Sequence, residues 1–416
     1  MNMHSPAHKT MVPVMSERRV SIVGALMAFF GPLSIPLFTP AMPELVGVFG
    51  TTESMIKMTM ASYFAGFAVM QLVCGPLSDA YGRKPVALGF TAIYVVASAI
   101  AVFAPTVETL IGARFLQGIG AAVGVAVSRA IVRDLFTGAA SNRIMNLMAV
   151  LMGLGPAIAP TIGGLLLEFA GWQSIFFFML AAGIFIAGMI QFTLVETVVP
   201  DPSRFSPRNL VASYRVLMRD RYFMMASVIL AGSLGAFFTQ AIVLPFILMN
   251  QVGLSPSQFG AAMLLQALPF FFGGLIFRVA MRRFSVASLA PFGMAAMAIG
   301  YTGVAASLLF LEPTTMSVMG PIAFFTFGVA FIVPVLNTAT VAPYPHMAGA
   351  AAALSNFIQM GAGFAGGMMV AAVGDPVFGM AIVVPIAGWA SIIIWLVWRR
   401  MPEPALAKVV LPHPID

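Results

Sequence analysis

Charge is scarce in this sequence. Asp, Glu, Lys and Arg make up 8% of its 416 residues, against roughly 25% in a soluble domain, while 60% of the residues are apolar. Water is therefore not the main solvent of this chain, and composition places it among polytopic membrane proteins. Cysteine is nearly absent: Cys74 stands alone, which excludes an intrachain disulfide and leaves the redox compartment open. The four histidines sit in tails and loops or at their edges, no pair of carboxylates falls inside an apolar run, and no G-x-x-x-x-G-K-S/T loop is present. These absences speak against an enzyme, a bound metal or cofactor, and ATP-driven transport. The basic excess, a formal net charge of +7, is spread over short loops between apolar runs, so it marks orientation in a membrane and not a nucleic-acid partner.

What the chain does have is twelve apolar runs, at residues 21–43, 55–76, 86–104, 109–133, 143–167, 174–195, 222–249, 257–280, 287–310, 317–338, 348–373 and 377–398. Each is close to the 20 or so residues that cross a hydrocarbon core of roughly 30 Å. The polar N-terminal segment ends in Arg18 and Arg19 like the start of a signal peptide, but the next run has no small-residue cleavage site, so it is expected to remain as a first helix. When loops are assigned to alternate sides, every Lys and Arg falls on one side except Arg114, inside a run, and Lys57, opposite. That side, with both termini, is expected to be the cytoplasmic face of a bacterial inner membrane. Glu44, Glu53, Glu108, Glu168, Glu312 and Asp375 fall on the other face.

The longest polar stretch, 196–221, divides the runs into two sets of six. The expected organisation is a cytoplasmic tail (1–20), a six-helix bundle (21–195), a cytoplasmic loop (196–221), a second six-helix bundle (222–398) and a cytoplasmic tail (399–416). GPLSDAYGRK after the second run (75–84) and GLIFRVAMRR after the eighth (274–283) share a glycine and two terminal basic residues in register, which suggests that the halves are repeats. The expected fold is all-α, with twelve transmembrane helices in two six-helix bundles and a substrate site between them at the midplane.

Arg114 is the one charge that must sit at membrane depth. Glu108 cannot neutralise it along the helix, being about 240° of rotation and about 9 Å of rise away; the bland alternative is an arginine that snorkels to the interface. Gln117 shares its face, and Gly118, Ala121, Ala122 and Val125 beyond them permit another helix to approach closely. In the fifth run Gly155, Ala159 and Gly163 recur every fourth residue, next to Gly164, while Pro156 and Pro160 bend the helix. In the 75–84 loop, Gly75 to one side and Arg83 and Lys84 to the other frame Asp79 and Gly82. Gly82 permits a tight turn, and Asp79 can reach Arg133 or Arg129 at the end of the fourth run, latching that face shut. Polar candidates for a cavity are Tyr63, Gln71, Asn146, Gln240, Gln266, Asn337, Asn356 and Gln359. The 36 Phe and 31 Met residues suit either an adaptable cavity or a lipid-facing surface.

GPLSDAYGRK resembles the G-x-L-x-D-x-x-G-R-K signature of the major facilitator superfamily, with Ala80 where a basic residue is usual. RFLQGIGAA (114–122) resembles the R-x-x-Q-G motif of its drug/proton antiporters, and GLGPAIAPTIGG (153–164) their motif ending P-x-x-G-G. SRAIVRDLF (128–136) and APYPHMAGAAAALSNFIQ (342–359) resemble the bicyclomycin/chloramphenicol resistance (Bcr/CflA) branch. The resemblance implies the major facilitator fold, gating by the 75–84 loop and the bent fifth helix, and multidrug efflux of small amphipathic compounds by alternating access, coupled to protons. His346 is expected at the interface and not as a proton carrier. One segment departs: relatives read P-L-S-x-D-M-Y-L-P-A-L-P, whereas this chain has PLSIPLFTPAMP, with Pro36 in place of the acid. No other Asp or Glu falls at membrane depth, so proton antiport has lost its carrier. Pro32, Pro36 and Pro40 are expected to free the carbonyls of Ala28, Pro32 and Pro36 toward Arg114, giving a net positive cavity that prefers substrates carrying a carboxylate or another electron-rich group over lipophilic cations. Two alternatives stay open: a permease or exchanger for a small anionic metabolite or siderophore-like acid, and a non-transporting receptor or scaffold. The expected partners are a small-molecule substrate, the lipid bilayer and protons, with the chain acting as a monomer.

Overall fold

The computed structural model describes residues 15–402 and 404. Lys9 and Lys408, counted above with the basic loops, lie outside the described residues, as does most of both tails. Twelve helices among the described residues are long and apolar enough to cross a membrane, as an apolar solvent requires of any chain that satisfies its backbone bonds within each segment. The first six are α1 (Glu17–Phe38) continued by α2 (Met42–Val48), α3 (Glu53–Tyr81), α4 (Arg83–Val102), α5 (Val107–Leu135), α6 (Gly138–Ala170) and α7 (Trp172–Thr193). After the amphipathic α8 (Pro207–Arg219) come α9 (Arg221–Pro245), α10 (Pro256–Ala262) running into α11 (Leu264–Ala280), α12 (Val286–Phe310), α13 (Thr315–Val341), α14 (Ala348–Val373) and α15 (Pro376–Trp398).

Side chains next to the runs set where the helices begin. Ser16, Thr52 and Thr106 accept the first-turn N–H groups of α1, α3 and α5, and Ser255 with Gln258 forms a reciprocal capping box on α10. The 75–84 and 274–283 segments are helix ends and not the expected loops: α3 continues to Tyr81, and α11 to Ala280. The turn between α3 and α4 is reduced to Gly82, whose φ of 99° no side chain adopts readily. The 196–221 stretch, expected as a loop, contains α8, capped by Ser206.

The same helix pairs recur in both halves. α1 packs on α6 as α9 packs on α14; α3 on α5 as α11 on α13; and α4 on α7 as α12 on α15. Two bundles of one architecture result, meeting through α3 with α14 and through α6 with α10 and α11. The halves are thus structural repeats, as the paired segments suggested.

Candidate functional site

A cavity of about 430 Å³ lies between the bundles, within the size range of sites for drug-sized ligands. Helices α1, α3, α5 and α6 wall it on one side, with α9, α10, α11, α13 and α14 opposite; α4, α7, α12 and α15 contribute nothing. The wall is largely apolar, with aromatic and thioether side chains that include Phe67, Phe237, Phe238, Phe270, Met145, Met148 and Met360, and is interrupted by the amides of Gln71, Gln266, Asn337, Asn356 and Gln359. Gln71 Nε2 donates to Ala122 O at 3.3 Å and Gln359 Nε2 to Ser355 Oγ at 3.0 Å. Gln240 lies outside the wall, donating to Gln266 Oε1 at 2.9 Å. Asn146 is exposed on α6, away from the cavity. Pro36, Pro156 and Pro160 line it, and no Asp or Glu among the described residues does. The one charged side chain in the wall is Arg129.

Arg114 is elsewhere. It is fully buried inside the first bundle, so it neither snorkels nor faces the cavity. One Nη donates to Gln117 Oε1 at 2.8 Å, the other faces Met60 Sδ at 3.5 Å, and Nε has no partner. The guanidinium is held between two rings, 4.7 Å from that of Phe38 and 4.4 Å from that of Tyr63. Desolvated contacts of this kind contribute about 2 kcal/mol each, enough together to offset the roughly 2.5 to 3.5 kcal/mol of placing the charge at depth. The carbonyls expected to hold it do not: Pro36 O accepts from Thr39 Oγ1 at 2.8 Å instead. Gln117 continues the chain of bonds to Ser98 Oγ on α4 at 2.8 Å, and Tyr63 Oη donates to Gly31 O at 2.8 Å. Arg114, Gln117 and Tyr63 thus tie α1, α3, α4 and α5 together.

Asp79 pairs with Arg83 and not with Arg129 or Arg133, correcting the expected latch. Arg83, nearly buried, also contacts Asp134 with Nε at 3.0 Å and Nη2 at 3.4 Å, and Ser78 Oγ at 2.6 Å. Asp134 accepts from Thr197 Oγ1 at 2.8 Å. Glu196 takes the N–H groups of Arg83 at 2.8 Å and Lys84 at 3.1 Å, a carboxylate at the positive end of α4. Lys84 Nζ caps Gln191 O at 2.7 Å. Every partner lies in the first bundle or in the segment just after α7, so the cluster braces that bundle and does not bridge to the other. Gly75 faces open space on α3. Sequence reasoning passed over Asp134 and Glu196 because their approach to Arg83 is a contact between distant segments.

The direct hydrogen bonds between bundles, among the described residues, sit at the end opposite the arginines. Ser54 Oγ donates to Ala371 O at 2.7 Å, Lys57 Nζ to Gly374 O at 3.2 Å, Thr161 Oγ1 to Gly260 O at 3.2 Å, and Ser257 N to Glu168 Oε2 at 3.2 Å. The adjacent glycines of α6 divide their work: a Cβ on Gly163 would strike Leu37 O of α1, and one on Gly164 would strike Pro256 O across the seam. Gly155 lies against the Phe29 ring, so this stripe packs mainly within its own bundle. Arg129 and Asn337, toward the other end, are exposed, as is Arg133 beyond them. The cavity is therefore sealed at one end and opens toward the arginine-rich end.

Similarity to known proteins agrees with this architecture. The chain is 28% identical over 348 residues to an uncharacterized MFS-type transporter, YdgK, of Bacillus subtilis (80% of this chain, 84% of that protein). It is 28% identical over 324 residues to a chloramphenicol resistance protein of Pseudomonas aeruginosa (77% and 76%). The crystal structure of a D-xylose-proton symporter superposes with a TM-score of 0.71 at 14% identity, covering 94% of this chain and 99% of that one. Two repeated bundles, a cavity between them sealed at one end, and a match of residues 24–367 to the family pattern lead to one conclusion: this chain belongs to the Major Facilitator Superfamily and is a multi-pass secondary transporter of small molecules.

Proposed function

We propose that the chain exports small amphipathic compounds from the cytoplasm across a bacterial inner membrane, as a Bcr/CflA-like multidrug exporter acting as a monomer. The observation that carries this is the cavity wall: aromatic and flexible thioether side chains accept apolar bodies of many shapes, and scattered amides accept polar groups without demanding one pattern. The name of the chloramphenicol-resistance relative supports it. The one-sided arginines support placing both termini, the 196–221 segment and the open end of the cavity in the cytoplasm, which makes the observed conformation the loading state of an exporter. Arg83 with Asp79, Gly82 and Lys84 would keep the first bundle rigid as it moves, and the bent α6, with Pro156 and Pro160, would act as the moving part. Pro36 lines the cavity without an acid beside it, so any proton coupling would not run through a cavity carboxylate.

A second reading, a permease or exchanger for a small anionic metabolite, is favoured by the absence of acids from the cavity wall. Flux of substrate in proteoliposomes, measured in both directions with and without an imposed pH gradient, separates the two. Outward movement of several unrelated amphipaths supports export; reversible exchange of one acid supports the permease.

A further inference from the structure

The charge in the cavity is unanswered. Arg129 lines the cavity and is exposed within it, yet it makes no hydrogen bond or ion pair with any described residue. The described acids at that end are committed elsewhere: Asp79 and Asp134 to Arg83, Glu196 to the start of α4, Glu17 to Arg143, Asp201 to Ser203 and Asp220 to the start of α9. Val125, one turn deeper on α5, also lines the cavity, and Arg133, one turn toward the mouth, is exposed and likewise without a bonded partner. α5 therefore presents an apolar residue, a cation in the wall and a second cation at the entrance. A mouth with an excess of one charge sign concentrates ligands of the opposite sign, and a planar guanidinium matches a carboxylate through two parallel bonds.

We propose that Arg129 selects the substrate by charge, making the cavity a site for amphipathic monoanions: a carboxylate held by Arg129, with Asn337 and Asn356 available as neutral donors, and an apolar body among Phe67, Phe238 and Met148. This rests on the export role proposed above and names its substrate class. A lipophilic cation entering the same cavity meets like charge and no carboxylate.

The test uses three probes of one shape and three charges: 3-phenylpropionate, 3-phenylpropanamide and phenethyltrimethylammonium. Equilibrium binding to the purified full-length protein is compared for wild type, Arg129→Gln and Arg129→Lys, with size-exclusion elution as the folding control. Wild type is expected to prefer the carboxylate over the amide and to bind the ammonium weakest. Arg129→Gln is expected to lower the carboxylate-to-amide affinity ratio by roughly 10- to 100-fold, as loss of a charged hydrogen-bond pair implies, and Arg129→Lys to lower it less. An unchanged ratio in a folded Arg129→Gln protein overturns the inference. Proteoliposome flux of the same probes tells this failure from a failure of the export role: movement of amide or ammonium but not carboxylate overturns charge selection and leaves export standing, whereas movement of none of the three overturns both.

Discussion

Lys57 Nζ donates to the carbonyl oxygen of Gly374 across the seam between the bundles, at 3.2 Å. Lys57 is fully buried, also contacts Glu53 at 3.2 Å, and stands 5.0 Å over the Phe246 ring of the second bundle. It is the one basic residue that the loop alternation placed on the face opposite the other loop cations, and its place in the seal accounts for it. Lys57→Met keeps the stem and removes the donor, costing the sealed state about 1 to 3 kcal/mol. Spin labels at Phe169 and Gln251 are then expected to show a larger population of long distances than in the otherwise wild-type protein; identical distributions would mean that the bond does not hold the seal.

The cluster around Arg83 predicts an order of effects. Asp79 is half exposed and Asp134 largely covered, and Arg83 keeps one carboxylate when the other is lost. Asp79→Asn should cost about 0 to 1 kcal/mol, and Asp134→Asn, which turns an amide NH2 toward the Arg83 guanidinium in place of a carboxylate oxygen, about 1 to 3 kcal/mol. Thermal melting of the purified variants should therefore place Asp134→Asn below Asp79→Asn, and the reverse order would remove Asp134 from the centre of the cluster.

Arg114 is expected to behave as a packing residue. Arg114→Met loses two ring contacts of about 2 kcal/mol each and leaves Gln117 Oε1 without its donor, about 1 to 3 kcal/mol, against about 2.5 to 3.5 kcal/mol regained because no charge is held at membrane depth. The loss is the larger, so the melting temperature should fall while carboxylate binding to the open cavity persists in the folded variant. Loss of binding in a folded variant would show that Arg114 reaches the substrate.

Tyr214 anchors α8 to the first bundle by donating to Leu72 O at 2.6 Å, the carbonyl that Pro76 leaves free because it has no N–H. Burial raises the phenol pKa above its ordinary value, so the neutral donor is favoured when folded. Its contribution is complete below the unfolded pKa of about 10 and declines as pH rises through the folded value. Tyr214→Phe should cost about 1 kcal/mol at neutral pH, and its melting deficit should shrink in strongly alkaline buffer. A deficit independent of pH there would assign the effect to packing.

Orientation is open to a direct measurement. In a Cys74→Ser background, a cysteine at Glu312, exposed between α12 and α13, should react with an impermeant maleimide from outside intact cells. A cysteine at Arg283, at the arginine-rich end, should react only after permeabilisation. The opposite result inverts the topology and turns the open cavity outward.

Much of this protein is determined locally. A bilayer of set thickness demands apolar runs of a certain length, and helices satisfy their own backbone bonds, so twelve spans could be read from residue order alone, although helices such as α3 run past their expected ends. Gly82 and its turn were legible for the same reason, because a single residue's φ decides them. The site was not. Arg114 and Arg129 lie on nearly one stripe of α5, about 60° apart in rotation and about 22 Å apart in rise, and nothing in the sequence of that helix says which is wet. The tertiary structure decides it. Gly164 against Pro256, with Lys57 against Gly374, closes the bundles at one end, while Arg114 is taken up between Phe38 and Tyr63 inside its own bundle. Arg129 is left facing the space where the bundles part. Charge assignment in a membrane transporter depends on how far along their axes two helical bundles touch, a contact between distant segments that local sequence does not encode.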